Sequence, residues 1–254
     1  MLLATVNDRL TKILDDFIET LPKDLKYEFT FNTFVAGGAI LSLLRGEEPN
    51  DVDIYFSEEQ TALKIARYFN FYPVVKEFYD ITGVKEHRIY ITKTSFSILK
   101  EEGICPVFVS PNAMTLSNRF QLVFRYTGAP DFVIDQFDFA HTQMFWNRVS
   151  GVKLSDRAKD SLVLNELFYL PGAYPLSSLF RLRKFLLRGW NISIGQLTKL
   201  SIQLSKIDYT DLQQLKDQLY GVDIQYINRL VYLLESENNM TEERIIAIID
   251  ELFK

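Results

Sequence analysis

Apolar positions along the first third of the chain recur at two different spacings. Leu10, Ile13, Leu14 and Phe17 fall at helical intervals with Asp8, Lys12, Asp15 and Asp16 between them, which predicts a helix over 4–20. Thr30 to Ala36 is β-rich and apolar and predicts a strand ending at Gly37-Gly38. Ala39 to Arg45 then reads as a short buried helix stopped by Gly46, Pro49-Asn50 as a turn, and Asp51 to Ser57 as a second strand. Ser57-Glu-Glu-Gln opens a further helix to about Phe69, with Ser57 as N-cap and Gln60 three residues on. Short β-prone runs follow at 84–93, 95–99 and 107–109, and 121–126 fits strand or helix. Thr127 to Pro130 is a turn, 131–136 a short helix, and 137–146 an aromatic strand.

From Ser155 the strand pattern stops. Helices are expected at 156–167, 175–188, 193–204, 210–220, 223–236 and 241–253. The expected fold class is therefore α+β: a mixed sheet with flanking helices over residues 1–155, followed by an all-α domain over 156–254.

Composition narrows the class. With 47% hydrophobic and 24% charged residues, the 254-residue chain has ordinary globular proportions. The lone cysteine, Cys105, has no partner for an internal disulfide, and two histidines leave no zinc cluster of the usual spacing. No apolar run approaches the roughly 18 residues of a membrane span, and the N-terminus lacks a basic n-region. A cytoplasmic protein without a membrane partner is expected. Net charge is −5, which argues against a general nucleic-acid coat. The charge is uneven, however: residues 157–206 hold 8 basic and 2 acidic side chains, between flanks with an acidic excess. A polyanion would be steered to that middle segment.

The stretch with candidate chemistry runs from Phe34 to Phe56. It reads as strand, double-glycine turn, helix, turn, and a second strand opening with two acids. Gly37 and Gly38 allow positive φ and close backbone approach. Asp51 and Asp53 are two apart on a strand, so both project from one face while Val52 and Ile54 take the other. Paired carboxylates repel, and a divalent cation such as Mg²⁺ relieves the repulsion.

This segment resembles the signature of the DNA polymerase β-like nucleotidyltransferase superfamily: here Ala36-Gly37-Gly38, twelve residues, then Asp51-Val52-Asp53-Ile54. It is similar to the opening of CCA-adding enzymes and bacterial poly(A) polymerases. It departs from them at Leu41-Ser42, where those enzymes carry an Arg-Asp pair, and the chain lacks their Glu-Asp-x-x-Arg motif. The arrangement also resembles nucleotidyltransferase-like proteins of tailed bacteriophages, through Ser110-Pro-Asn-Ala-Met-Thr-Leu-Ser, Thr127-Gly-Ala-Pro, Phe137-Asp-Phe, and Tyr174-Pro with Arg181-Leu-Arg-Lys.

The resemblance implies two-metal nucleotidyl transfer from a nucleoside triphosphate. Asp51 and Asp53 would hold two Mg²⁺ ions, with a third carboxylate from Asp138, preferred over Asp135. His141 is expected as a core or outer histidine. Gly37 and Gly38 would hold phosphates. In the helix that opens at Pro175, Arg181, Lys184 and Arg188 form a stripe expected to bind phosphate. Leu179, Leu182 and Leu186 form the apolar side, with Arg183 at its edge as a candidate for a buried ion pair. The expected acceptor is a hydroxyl of a tRNA-like RNA 3′ end, a protein or a small molecule. An inactive relative with a nucleic-acid-binding or virion-associated role stays open beside it.

Overall fold

The computed structural model describes residues 3–79, 85–93, 103–209, 211–218, 232–233 and 241–252. The chain forms two compact units, residues 1–137 with 141–160, and residues 138–140 with 161–254. Among the described residues no helix is long and apolar enough to cross a membrane.

The first unit opens with α1 (Leu3–Ile18) and α2 (Lys23–Phe31). It continues through β1 (Thr33–Ala36), α3 (Gly38–Leu44), β2 (Val52–Phe56), α4 (Glu59–Tyr68), β3 (Phe71–Tyr79) and β4 (Lys85–Lys93). Then come β5 (Pro106–Val109), β6 (Ala113–Leu116), β7 (Phe120–Thr127), α5 (Pro130–Asp135), β8 (Met144–Asn147) and β9 (Gly151–Leu154). Seven strands make one sheet in the order β5-β6-β7-β2-β1-β8-β9, and β3 pairs with β4 as a separate ribbon. The sheet is mixed: β2 runs parallel to β7 and antiparallel to β1.

The two sheet faces differ. On one, Val35, Ile54, Phe56, Leu122 and Phe124 are fully buried. Helices α1 and α2 bring rings onto that side: Phe17 lies 5.1 Å from Phe120 and 5.2 Å from Phe29, and Phe29 lies 6.4 Å from Phe56. Each ring so buried contributes about 1.5–3 kcal/mol of transfer free energy. The other face carries Phe34, Ala36, Tyr55 and Phe145, packed against Val133 and Ile134 of α5. This second face also bears Asp53 of β2.

Several expectations change. Thr30 and Phe31 belong to α2 rather than to a strand, because Leu25 and Phe29 bury at helical spacing. The expected capping box at Ser57 does not form: α4 is capped at Glu58 without a side-chain bond, and the Ser57 N–H donates to Asn32 O at 2.9 Å. Residues 121–126 are strand, within β7. The aromatic strand over 137–146 shrinks to β8. Ahead of it Ala140–Thr142 is a 3-10 turn, and Phe139 bridges to Tyr169 inside the second unit. β3, β6 and β9 were not anticipated. The run at 95–99 lies outside the described residues, as does nearly all of 223–236.

Helix α6 (Asp156–Leu164) carries the chain out of the first unit. The second unit holds α7 (Pro175–Leu187), α8 (Ile194–Leu204), α9 (Leu212–Gln218) and α10 (Glu242–Leu252). Ile207, Leu215, Ile245 and Ile248 form a core, joined by Leu176 and Phe180 of α7. Gln218 ties α9 to the start of α7, accepting the Leu176 N–H at 3.3 Å and donating to Ala173 O at 2.9 Å. The buried side of α7 is Ser177, Ser178, Leu182 and Phe185, whereas Leu179 and Leu186, expected inside, are 42% and 43% exposed.

Candidate functional site

Register builds the first site. Thr33 pairs with Phe56 and Val35 with Ile54, so one further step sets Ala36 beside Asp53. The Gly37-Gly38 corner at the end of β1 therefore meets the start of β2, where the acids stand. Adjacent strands lie about 4.8 Å apart, which keeps corner and carboxylates together. Asp53 pairs in register with Gln121 of β7, whose amide donates to Thr115 Oγ1 at 3.5 Å. Asp51 precedes the first strand residue and is exposed; Asp53 is half-buried, and its Oδ1 is shut off from solvent. Val52 and Ile54 are buried on the opposite face, as period-two alternation requires.

The corner has a glycine requirement at one position. Gly37 has φ +74°, and a Cβ there would meet the Phe137 ring at 3.4 Å. Its N–H donates to Met144 O at 3.1 Å, tying the corner to β8. At Gly38 a Cβ would meet nothing within 4 Å, so the backbone there faces open space. The helix that follows is short and mostly interior: Leu41 is 1% and Ser42 5% exposed. Phe137 also reaches Tyr55, ring centroids 6.0 Å apart, and forms an aromatic wall beside the corner. The sequence reading missed this wall, since nothing local marks Phe137 as a neighbour of Gly37.

Asp53, half-buried on β2 with one oxygen shut off from solvent, and the exposed Asp51 just ahead of the strand are carboxylates of the kind a hard divalent cation takes beside waters and substrate phosphates. Among the described residues, no three His, Cys, Asp or Glu side chains gather into a set able to hold a metal ion.

The remaining expected residues lie in the second unit, with its own geometry. Asp138 sits in a bend rather than in a strand. Its Oδ2 accepts from Arg181 Nε at 2.8 Å and Nη2 at 2.7 Å. The ion pair expected for Arg183 thus falls to Arg181, and Arg183 is exposed. The Leu170 N–H donates to Asp138 O at 2.8 Å, which fixes the bend. Tyr169 lies beside the pair; burial pushes its phenol above the ordinary value of 10, and the Asp138 charge adds to this. Lys184 is exposed and Arg188 half-buried, so the stripe of three is split by its first member's turn inward. Asp135 is exposed at the end of α5, and His141 is fully buried in the first unit.

Solved structures with a similar trace include the Thermotoga maritima CCA-adding enzyme complexed with tRNA, at 14% identity and TM-score 0.42, covering 92% of this chain and 57% of that one. Another is the CCA-adding enzyme of Bacillus stearothermophilus in complex with CTP, at 11% identity and TM-score 0.39, covering 79% and 47%. A curated relative, "Gabija anti-defense 2" of Bacillus phage SPbetaL7, is 26% identical over 189 residues. The match takes in 74% of this chain and 41% of that relative's length. The description of a Gabija anti-defense 2 family protein fits residues 8–163, more than half of the chain and nearly all of the sheet-bearing unit, and the chain belongs to that family.

Proposed function

We propose that the protein is a metal-dependent nucleotidyltransferase, moving a nucleoside monophosphate from a nucleoside triphosphate to a hydroxyl acceptor. The observation that supports this reading is that β1, which runs into the Gly37-Gly38 corner, pairs antiparallel with β2, which carries Asp53 with Asp51 just ahead of it. Mg²⁺ held there would supply charge neutralisation at the phosphates and a lowered pKa at an acceptor hydroxyl. Gly37 and Gly38 give the phosphates an approach to backbone N–H groups unobstructed by Cβ atoms. Lys184 and Arg188 of α7 are proposed as phosphate-binding cations of the helical unit. For Asp138, expected as the third carboxylate, the ion pair sets a condition: it would serve a cation only by giving up Arg181.

The acceptor class stays broad within this reading, with an RNA 3′ end, a protein or a small molecule as members. The setting we propose is the one in the family's name, action against the Gabija defence, carried out in the infected cell's cytoplasm. Calorimetric titration with ATP and Mg²⁺, run beside a thermal melt, tests the site. D51A/D53A is expected to lose Mg-dependent binding while melting as the parent does, and unchanged binding sinks the reading.

A second reading is favoured by one observation. Leu41 and Ser42 are buried where CCA-adding enzymes carry an Arg-Asp pair, which supports a protein that binds nucleotide or RNA without turnover. Incubation with labelled nucleoside triphosphates and a mixed RNA pool separates the two, because only the transferase releases pyrophosphate.

A further inference from the structure

The ion pair expected for Arg183 falls to Arg181, and Arg183 is left exposed on α7. Its surroundings are not those of a solvated charge. Leu179 lies one turn before it and Leu186 and Leu187 one turn after, and all three are exposed, Leu187 by 73%. Residues three and four apart share one side of a helix, so the outer side of α7 is a strip of three leucines around one guanidinium. The strip continues past the helix end. Asn165 Nδ2 donates to Gly189 O at 2.9 Å, and the Asn191 N–H donates to Asn165 O at 3.1 Å, which holds the end of α6 beside the end of α7. The two residues before Asn165, Val163 and Leu164, are 85% and 60% exposed. Apolar surface gathered in this way and rimmed by charge marks a protein-binding face.

A second helix of the same unit shows the complementary face. α10 turns Ile245 and Ile248 into the core and leaves Ile246 and Ile249 exposed. Glu243 and Asp250, also exposed, lie three residues before and four after Ile246, on its side of the helix. The charges are opposite: α7 carries three bases and no acid, α10 four acids and one base. The flanking segments repeat the contrast, with 8 basic and 2 acidic residues over 157–206 against 4 basic and 10 acidic over 207–254. The inner sides of both helices meet in one core, with Leu176 and Phe180 of α7 packed against it. The exposure of the outer sides shows that neither covers the other within one copy.

We propose that the chain associates with a second copy of itself, the basic, leucine-bearing face of α7 in one copy docking on the acidic, isoleucine-bearing face of α10 in the other. Each copy carries both faces, so a twofold axis forms the contact twice and closes the assembly as a dimer. The apolar side chains supply the association energy, and Arg183 against the acids supplies register and orientation. The net charge of −5 opposes association of copies at large, which makes this local complement of charge decisive. The proposal is independent of the nucleotidyltransferase reading, since it uses none of the residues assigned to nucleotide or metal.

Sedimentation equilibrium of the chain at low and high salt tests it. The parent is expected to be dimeric at low ionic strength and to dissociate as salt screens the contact. R183E and D250R/E251R are each expected to weaken the dimer about tenfold or more, because like charges then face each other across it. R183E/D250R/E251R, which reverses both sides, is expected to recover it. L187S, with no change of charge, is expected to weaken the dimer about tenfold at either salt concentration, through lost apolar contact. All of these positions are exposed, so each variant is expected to melt as the parent does. Should D250R/E251R melt early, R183E and L187S, on the other helix, carry the test. A parent that stays monomeric throughout, or a dimer that neither R183E nor L187S weakens, overturns the proposal. So does a combined variant no tighter than its parts, which would leave an acidic face of another protein as the occupant of α7. Mg-dependent ATP titration is the separate readout of the Asp51–Asp53 site.

Discussion

Replacing Arg181 by methionine removes a forked donor from a carboxylate with little water. Asp138 is 12% exposed and Arg181 33%, and both bonds converge on Oδ2 at 2.7 and 2.8 Å. Taking one partner from a fully buried pair costs about 3–5 kcal/mol, because the other charge is stranded. Here Arg181 is a third open to solvent, and an exposed pair is worth only about 0–1 kcal/mol. The intermediate expectation for R181M is about 2 kcal/mol, since the stranded group is the more buried carboxylate. D138N is expected to cost less, about 1 kcal/mol: its amide oxygen still accepts, and the long arginine side chain swings toward water. The asymmetry is the test. Trp190 is 3% exposed in the helical unit, and Trp146, the chain's other tryptophan, lies in the sheet-bearing unit. In a W146F background, urea unfolding followed by fluorescence therefore reports the helical unit through Trp190. R181M is expected to shift the midpoint about twice as far as D138N, with the double variant near R181M alone. Equal costs, or a larger cost for D138N, would refute the argument that the stranded carboxylate dominates.

The glycine corner separates fold from chemistry. G37A is expected to cost about 1–3 kcal/mol from its left-handed φ, whereas G38A, with open space for its Cβ, leaves the melting temperature nearly unchanged yet loses nucleotide affinity in calorimetry. Tyr169 sets an alkaline limit. Its pKa is raised on folding, so its contribution is whole below pH 10 and fades as pH rises through the folded value, and Y169F is expected to flatten the parent's stability loss above pH 10 in urea titrations. F56A, which empties a fully buried position between Phe29 and Phe124, is expected to cost about 3–5 kcal/mol by denaturant unfolding.

What the sequence made legible was local. The diglycine corner and the Asp-Val-Asp segment lie within one stretch, and period-two alternation suffices to set Asp53 opposite buried Val52 and Ile54, with Asp51 just ahead of the strand. The expectations that changed involve partners far along the chain. Arg181 was expected to serve a ligand, but a bend 43 residues earlier brings Asp138 to it, and neither end of that bond marks the other. The side of α7 was misjudged because apolar was equated with interior. Ser177 and Ser178 bury at 0% and 1% because their hydroxyls have backbone acceptors, Gln218 O and Tyr174 O. A satisfied hydroxyl carries little desolvation cost, which frees Leu179 and Leu186 to face outward. The aromatic run at 137–146 fails as a strand for the same reason. Phe139 finds its ring partners in Tyr169 and Phe185 of the helical unit, 5.7 and 5.3 Å away, and that packing outweighs the β-propensity of its neighbours.

Strand β7 carries a bulge where it runs beside the end of β2, so that Phe56 pairs with Thr127 rather than with Phe124. No residue type at Phe124 or Arg125 announces it; it exists because Asn112 O takes two N–H groups, a fact about the turn before β6. Yet it decides which face receives Tyr126: a regular β7 would bury Tyr126 among the rings of the helix-covered face, whereas the irregular one packs it into the cluster of Phe34, Ala36 and Tyr55 on the face of Asp53.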